Sequence, residues 1–561
     1  MLRVGRSLGG MSRFLQMLTD SAARSAKGMI TGEPKEPVRT PWRDVHEKAR
    51  RLAGALLADP VLGRGDAVAV LAAEPAQIAP AAQAVWLAGG SVTMLHQPTA
   101  RTDLAVWAED TVTVLGMIGA KLVLLGAPFD ALAPVLAERG IAFRLLSDLS
   151  EGGEPITVDV TVADEDDTAL LQLTSGSTAE PKAVRITHRN LFANIGGMVA
   201  AAQLDADRDV MVSWLPLFHD MGMVGFMTVP MVTGLELVTV TPVDFLSRPL
   251  LWAELISKYR GTVTAAPNFA YAVLARQLAR ADEGSLDLSS MRFALNGAEP
   301  IDPDAVTALT DAGARFGLAE DSVVCAYGMA ETALGVSFAP CDTGMVIDHV
   351  DAEWLEEKRH ARPALYGPSR RFPRLGPPLP GIEVRVVGDD GTVLPERGVG
   401  VLQLRGESVT PGYLTVDGPR PAQDADGWLD TGDEGYLAGV EVVVCGRRKD
   451  VIIMGGRNIY PTDIERAAAL AADVRAGNVV AVRLEAGAGR HRESFLVAVE
   501  SRKAGDTAAE EIIRKDVTSK VVAACGVRPA DVVVLAPGTL PKTPSGKLRR
   551  SATGDLIAAR A

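Results

Sequence analysis

The sequence predicts an α/β protein of more than one domain, and three observations carry that prediction. Short β-branched runs of buried-strand length recur: "AVAVLAA" from Ala67, "KLVLLG" from Lys121 and "LELVTV" from Leu235. Longer Ala/Leu segments at helical spacing alternate with them, such as Trp42 to Leu57 and Leu251 to Tyr259, a pattern that favours largely parallel sheets. The chain is also 561 residues long, more than a single core accommodates.

The texture changes further along. From about Gly376, "GIEVRVVGDDGTVLPERGVGVLQLRG" reads as strands joined by Gly-Asp and Gly-rich turns, hence a β-rich subdomain over about 376–445. After "VVVCGRRKDVIIMGG" the chain mixes helix and strand and ends in the basic run "KLRR", which predicts a compact C-terminal domain, 451–561, hinged at 446–450. No internal repeat and no low-complexity tract interrupts this order.

Composition excludes several classes. Hydrophobic residues make up 47% and aromatics only 5%, so the cores are built from Ala, Val and Leu. The net charge of -13 argues against a surface that coats nucleic acid, because phosphate contacts need clustered Lys and Arg. Cys325, Cys341, Cys445 and Cys525 lack C-x-x-C spacing, so neither a disulfide framework nor a zinc site is expected, and a reduced cytoplasmic setting fits. The start, "MLRVGRSLGGMSRFLQML", reads as frayed or weakly amphipathic and not as a signal peptide. The longest apolar stretches, such as "MVGFMTVPMV" at Met223, are too short to span a bilayer.

Chemistry enters with "LQLTSGSTAEPKAV", Leu171 to Val184. Its hydroxyls and successive backbone N–H groups suit phosphate oxygens, and Lys182 adds a cation. The segment is not a Walker A loop, since Pro181 and Ala183 stand where that pattern needs Gly and Ser/Thr. By itself it is equally a solvated turn or a phosphate loop.

Six further segments follow in order: "SWLPLFHDMGMVG", "NGAEPI", "AYGMAETALG", "GWLDTGDEGYL", "GRRKDVIIMGGRNIYPTDIE" and "LPKTPSGKLRR". The set of seven, over about Trp42 to Arg550, closely resembles the adenylate-forming superfamily of acyl-CoA ligases, peptide-synthetase adenylation domains and luciferases. The resemblance implies a large N-terminal domain of two αβ-layered subdomains plus the β-rich one, 1–445 in all, and a small mobile α+β C-terminal domain. It assigns Thr174, Ser175, Gly176, Ser177, Thr178 and Lys182 to the ATP β- and γ-phosphates. Asn296, Gly297, Ala298, Glu299, Tyr327, Gly328, Met329 and Ala330 would line the nucleotide site, with Tyr327 stacking on adenine. Glu331 would hold Mg²⁺, a hard cation that prefers oxygen. Asp433, assisted by Arg447, would accept from the ribose hydroxyls, and Lys449 would be the hinge residue. Lys547 would be the catalytic lysine, bridging the substrate carboxylate and the α-phosphate. His219 would gate the acyl path, although a satisfied structural histidine explains it nearly as well.

Within the superfamily, "SWLPLFHDMG", "TAAPNFAYAV" with "RFALNGAEPI", and "VVCGRRKDVIIMGGRNIYPTDIE" resemble fatty acyl-AMP ligases of actinobacterial type. So does an added stretch at about 340–371, where those enzymes carry an insertion that disfavours the domain arrangement needed for CoA. The expected function is activation of a medium- or long-chain fatty acid to acyl-AMP, with ATP and Mg²⁺, and transfer to the phosphopantetheine of an acyl carrier protein or polyketide synthase. No nucleic-acid partner and no stable membrane insertion are expected. The alternatives are a fatty acyl-CoA ligase and, more remotely, a non-catalytic adenylate-binding scaffold. Ala179, Glu180 and Ala183 depart from the family pattern, and Glu180 is expected to point to solvent so as not to repel the nucleotide.

Overall fold

In a computed structural model, residues 12–98, 102–152, 154–156, 163–174, 181–454, 456–484, 493–543 and 546–560 are described. The chain divides into two compact units: Met1–Met345 with Pro377–Glu383 and Arg405–Leu429, and Val346–Gly376 with Val384–Leu404 and Asp430–Ala561. No helix among the described residues is long and apolar enough to cross a membrane.

The first unit is built on two eight-stranded sheets. One runs in the order Gly335–Phe338, Val323–Gly328, Phe293–Gly297, Val263–Pro267, Val210–Ser213, Glu236–Thr239, Gly28–Thr31, Val38–Pro41. Its six inner strands are parallel and only the outer two pairings are antiparallel. The other has the order Gly418–Pro421, Gly412–Thr415, Lys182–Thr187, Thr168–Thr174, Ser91–Met94, Ala67–Leu71, Ala120–Leu125, Phe143–Leu145. Here the last five are parallel, and Lys182–Thr187 begins an antiparallel extension.

These elements follow from the residues. The strand Ala67–Leu71 is buried at every position, as expected of a parallel strand covered on both faces, and its near-continuous Val/Ala/Leu run reflects that. The helices Trp42–Leu57 and Leu251–Tyr259 form over the ranges their periodicity predicts. In the first, Trp42, Val45, Ala49, Leu52, Ala53 and Leu56 make one buried stripe at three- and four-residue spacing.

The frayed start fails as an expectation from Ser12 onward; residues 1–11 lie outside the described residues. Arg13–Arg24 is a helix capped by Ser12, whose Oγ accepts from the Leu15 N–H. Phe14 is buried edge-on against Trp86, with ring centroids 5.0 Å apart. Arg13 pairs with Glu165 at 3.0 Å. The cap and one buried stripe of Phe14, Leu15, Leu18 and Ala22 hold the helix.

The second unit contains most of a four-stranded sheet, Ile382–Val387, Gly400–Gly406, Leu429–Ala438 and Glu441–Arg447. It also has the hairpin Ile347–Asp351 with Ser369–Pro373, and a three-stranded sheet of Val479–Leu484, Ser494–Glu500 and Asp531–Leu535. Helices Pro461–Ala469 and Thr507–Cys525 cover that last sheet through Ile464, Ile513, Val517 and Val521. The four cysteines are free, and burial pushes the Cys325 thiol up to about 12.

Within this unit 347–373, which overlaps the stretch expected to be added, is held by charge on a buried carboxylate. Glu356, on the helix Ala352–Lys358, is 2% exposed and takes Arg370 at 2.6 Å on one oxygen and Arg457 at 2.8 Å on the other. Arg370 also pairs with Asp463 at 3.1 Å and donates to the Ala524 carbonyl. Removing one member would strand its partners, a cost of about 3–5 kcal/mol. A partly buried arginine, Arg550, joins Asp450 at 3.0 Å to Glu465 at 2.8 Å.

One buried histidine gives the fold a pH dependence. The His188 Nδ1 lies 2.9 Å from the Ser12 hydroxyl, and burial pushes its pKa down from 6.5 to about 4. The unfolded chain therefore takes up this proton below pH 6.5 while the folded chain does not, so stability falls with pH through that window. At about pH 5 the loss is roughly 2 kcal/mol. Urea unfolding should show a midpoint that drops between neutral pH and pH 5, with a smaller drop in His188→Gln; equal drops would remove His188 as the source.

Candidate active site

Parallel strands in one sheet end on the same side, and loops at their carboxyl ends form a crevice. In the first sheet those ends are His219's loop after Val210–Ser213, Asn268 after Val263–Pro267, Asn296–Glu299 after Phe293–Gly297, and Tyr327–Glu331 after Val323–Gly328. Asn296 pairs in register with Ala266 on one side and Cys325 on the other. The predicted nucleotide segments are thus neighbours, although they lie some thirty residues apart in the chain.

Their local geometry is tightly set. The Asn296 Nδ2 donates to the Asn268 Oδ1 at 3.1 Å, while its own Oδ1 is buried without a hydrogen-bond partner. Ala298 adopts φ +68°, a left-handed backbone that a non-glycine residue holds only under strain, as functional turns often do. The Glu299 Oε1 accepts the Phe269 N–H at 2.7 Å, near the start of the helix Asn268–Leu278. Tyr327 and Gly328 form an irregular step against Gly335–Phe338, and the Met329 N–H closes the turn on the Leu334 carbonyl. Ala330 and Glu331 follow in a short 3₁₀ turn, Ala330–Thr332, whose Glu331 carbonyl accepts the Thr410 N–H at 2.7 Å.

The second sheet contributes Thr174 and Lys182, which face each other across the antiparallel pair that the predicted phosphate loop connects. The Thr174 Oγ1 is buried with no hydrogen-bond partner among the described residues. Ser175, Gly176, Ser177, Thr178, Ala179 and Glu180 lie outside the described residues, and with them the expectation for Glu180. The Lys182 ammonium donates to the Glu331 Oε1 at 3.1 Å and rests 4.3 Å from the centre of the Tyr413 ring. The Tyr413 hydroxyl reaches the same Oε1 at 3.3 Å. Among the described residues no donor reaches the Glu331 Oε2.

His219 closes the turn that opens a wide π-helical segment, Met221–Thr228, buried throughout. Such segments are frequent at functional sites. Its Nδ1 faces both the Asp220 carboxylate at 2.7 Å and the Met221 N–H at 3.3 Å, so one tautomer serves one of them at a time. His96 packs edge-on against Phe218, centroids 5.4 Å apart; burial, with His219 nearby, pushes its pKa down to about 4.

In the second unit, Asp433 and Arg447 pair across adjacent strands at 3.2 Å, with the carboxylate largely buried. Lys449 follows in the 3₁₀ turn Arg448–Asp450, inside this unit, and burial lowers its pKa. Lys547 stands at the end of a tight turn in which its N–H donates to the Thr543 Oγ1 at 3.0 Å and its carbonyl accepts the Thr543 N–H.

This donor set fits ATP and Mg²⁺. Two buried polar atoms, on Thr174 and Asn296, have unused hydrogen-bonding capacity, and Glu331 has one oxygen that no described donor occupies. No cluster of three or more acidic, His or Cys side chains occurs among the described residues. Mg²⁺ does not require one, since one or two carboxylates with phosphates and water complete its shell. Sequence reading missed Tyr413 and Asn268, because only the folded structure reveals what they meet. Gly328 has no room for a side chain, for a Cβ there would lie 2.4 Å from the Leu334 carbonyl. Gly328→Ala should lower kcat/KM for ATP about tenfold or more by displacing the Tyr327–Glu331 turn. Gly116→Ala, where a Cβ meets nothing within 4 Å, should leave it unchanged in the same assay.

Comparison with known proteins agrees with this arrangement. Residues 20–414 match the family of AMP-binding enzymes. The putative ligase Rv1013 of Mycobacterium tuberculosis is 58% identical, covering 98% of this chain and all of its own. The long-chain-fatty-acid–AMP ligase FadD26 of Mycobacterium marinum is 34% identical over 68% of each chain. Among solved structures, one from a study of fatty acyl-adenylate ligases of E. coli and L. pneumophila superposes with a TM-score of 0.87 at 29% identity, covering 98% of both chains. The chain belongs to the AMP-binding enzyme family and is an adenylate-forming ligase.

Proposed function

We propose that this ligase activates a medium- or long-chain fatty acid as acyl-AMP and passes the acyl group to the phosphopantetheine thiol of a carrier protein or polyketide synthase carrier domain. The observation that carries the reading is the pairing of Lys182, which faces Thr174 across the strand pair, with Glu331, a cation beside a hard-oxygen donor. The relatives, long-chain fatty acid–AMP and fatty acyl-adenylate ligases by name, supply the substrate class.

In the first step a fatty carboxylate oxygen forms a bond to the α-phosphorus of ATP, and the bond from that phosphorus to pyrophosphate breaks. Lys182 and the Thr174 hydroxyl hold the outgoing phosphates, and the Asn296–Ala330 turns hold the base. Asp433 accepts from the ribose, oriented by Arg447. Lys547 holds the carboxylate against the α-phosphate, two anions that repel without it. Glu331 would hold Mg²⁺, which would supply charge neutralisation on the phosphates. In the second step residues beyond Lys449 reorient and a thiolate takes the acyl group, releasing AMP.

The charges around Glu356 favour acyl-AMP as the species that accumulates until an acceptor thiol engages. They tie 347–373 to Arg457 and Asp463, both beyond Lys449, so the reorientation that the second step needs must break ion pairs to the buried Glu356 carboxylate and to Arg370, whichever thiol receives the acyl group. The deciding experiment supplies ATP, Mg²⁺ and a series of fatty acids, with and without CoA and a phosphopantetheinylated carrier protein, and identifies products by mass. Acyl-AMP that accumulates with CoA present and disappears with the carrier supports the proposal; rapid acyl-CoA formation overturns it. Lys547→Ala should lower acyl-AMP formation about a hundred- to a thousandfold while ATP affinity changes little. Unchanged turnover would remove Lys547 from the chemistry.

A further inference from the structure

Tyr413 is assigned no part by the sequence motifs, yet it touches both charges of the phosphate site. It lies on the strand Gly412–Thr415, directly opposite Val184, while Lys182 faces Thr415. Lys182 and Val184 are two residues apart on one strand and so share a face, which makes Tyr413 and Lys182 diagonal neighbours, a separation that long and aromatic side chains bridge. The ring meets the ammonium at 4.3 Å from its centre, well within cation–π range. The hydroxyl meets the Glu331 Oε1 at 3.3 Å, the same oxygen that Lys182 contacts at 3.1 Å.

We propose that Tyr413 is a positioning residue for ATP activation: its ring holds the Lys182 ammonium and its hydroxyl holds the Glu331 carboxylate. The inference rests on the reading of Lys182 as a phosphate ligand and of Glu331 as the Mg²⁺ ligand. The physical need is plain. Lys182 and Glu331 neutralise each other, and both must turn from that pairing towards a polyphosphate and its metal. A flexible ammonium released from its carboxylate has many rotamers to explore, and a fixed aromatic face reduces them without presenting a competing negative charge. Both donors converge on Oε1, which leaves Oε2 the oxygen that a cation approaches without first displacing a protein donor.

The two contacts separate by substitution. Tyr413→Phe keeps the ring and removes the hydroxyl; Tyr413→Leu removes both. With the full-length enzyme, fatty acid, ATP and varied Mg²⁺, pyrophosphate release should give a KM for ATP raised about tenfold in Tyr413→Leu, with the KM for fatty acid unchanged. Tyr413→Phe should restore the KM for ATP to within about twofold yet still need about threefold more Mg²⁺ for half-maximal rate. A merely structural tyrosine predicts another pattern: a lower melting temperature and a lower kcat with both KM values kept, which would overturn the proposal. Equal impairment of ATP binding in the Phe and Leu variants, or a wild-type KM in the Leu variant, would overturn it as well. Lys182→Ala separates the layers. If it raises the KM for ATP and Tyr413→Leu does not, the positioning role alone fails; if it leaves the KM unchanged, the phosphate-site reading fails and this inference with it.

Discussion

Lys182 answers three requirements at one point of the backbone. It begins a strand that is antiparallel to Thr168–Thr174, so it faces the last residue before the phosphate loop. It faces Thr415 on its other side, on a strand more than two hundred residues later in the chain. Its side chain then crosses to Glu331, in the turn that joins two strands of the other large sheet. The register of two strand pairings and one ion pair therefore brings three distant stretches of sequence to a common centre. A one-residue slip on either side would turn Lys182 to the opposite face and dissolve that centre.

The surroundings suit that placement. Parallel strands buried on both faces provide rigid ends, and the turns following them carry the groups that must be precise. Local conformations that cost free energy occur at those turns: Ala298 in the left-handed region, and Gly328 packed where no side chain fits. Buried polar atoms without partners occur there too, on Thr174 and Asn296. Unpartnered buried atoms also occur elsewhere among the described residues, on Thr93 and Trp214 for example, so it is their place beside these turns, and not their rarity, that suits Thr174 and Asn296 to a ligand's atoms.

Much of this was legible in the residues, for reasons that differ by element. The helix Trp42–Leu57 was readable because its burial stripe is local and periodic. The strand Ala67–Leu71 was readable because two-sided burial writes itself as an apolar run. The motif residues Glu331, Asp433 and Arg447 were readable from wording and order, and Asp433 does face Arg447. Ser12 and Phe14 were not, since the value of that helix lies in Trp86 and His188, residues it meets only after folding. Tyr413 was hidden for the same reason: nothing in "TPGYLT" announces Lys182, and only the strand register reveals the contact. Local pattern encodes burial, whereas a functional contact between distant strands is encoded in the whole sheet.

The charges around Glu356 bear on how such an enzyme can be recombined. One carboxylate within 347–373 serves two arginines, Arg370 from the same stretch and Arg457 from much later in the chain, and Arg370 in turn answers Asp463. Charge balance is thus shared across two segments that a sequence alignment would treat as separable modules. A chimera that exchanges the C-terminal segment alone inherits a buried anion and a buried cation whose counterparts stayed behind. The exchangeable block has to include 347–373 together with 451–561, and the seam between compatible parts follows the buried ions and not the hinge.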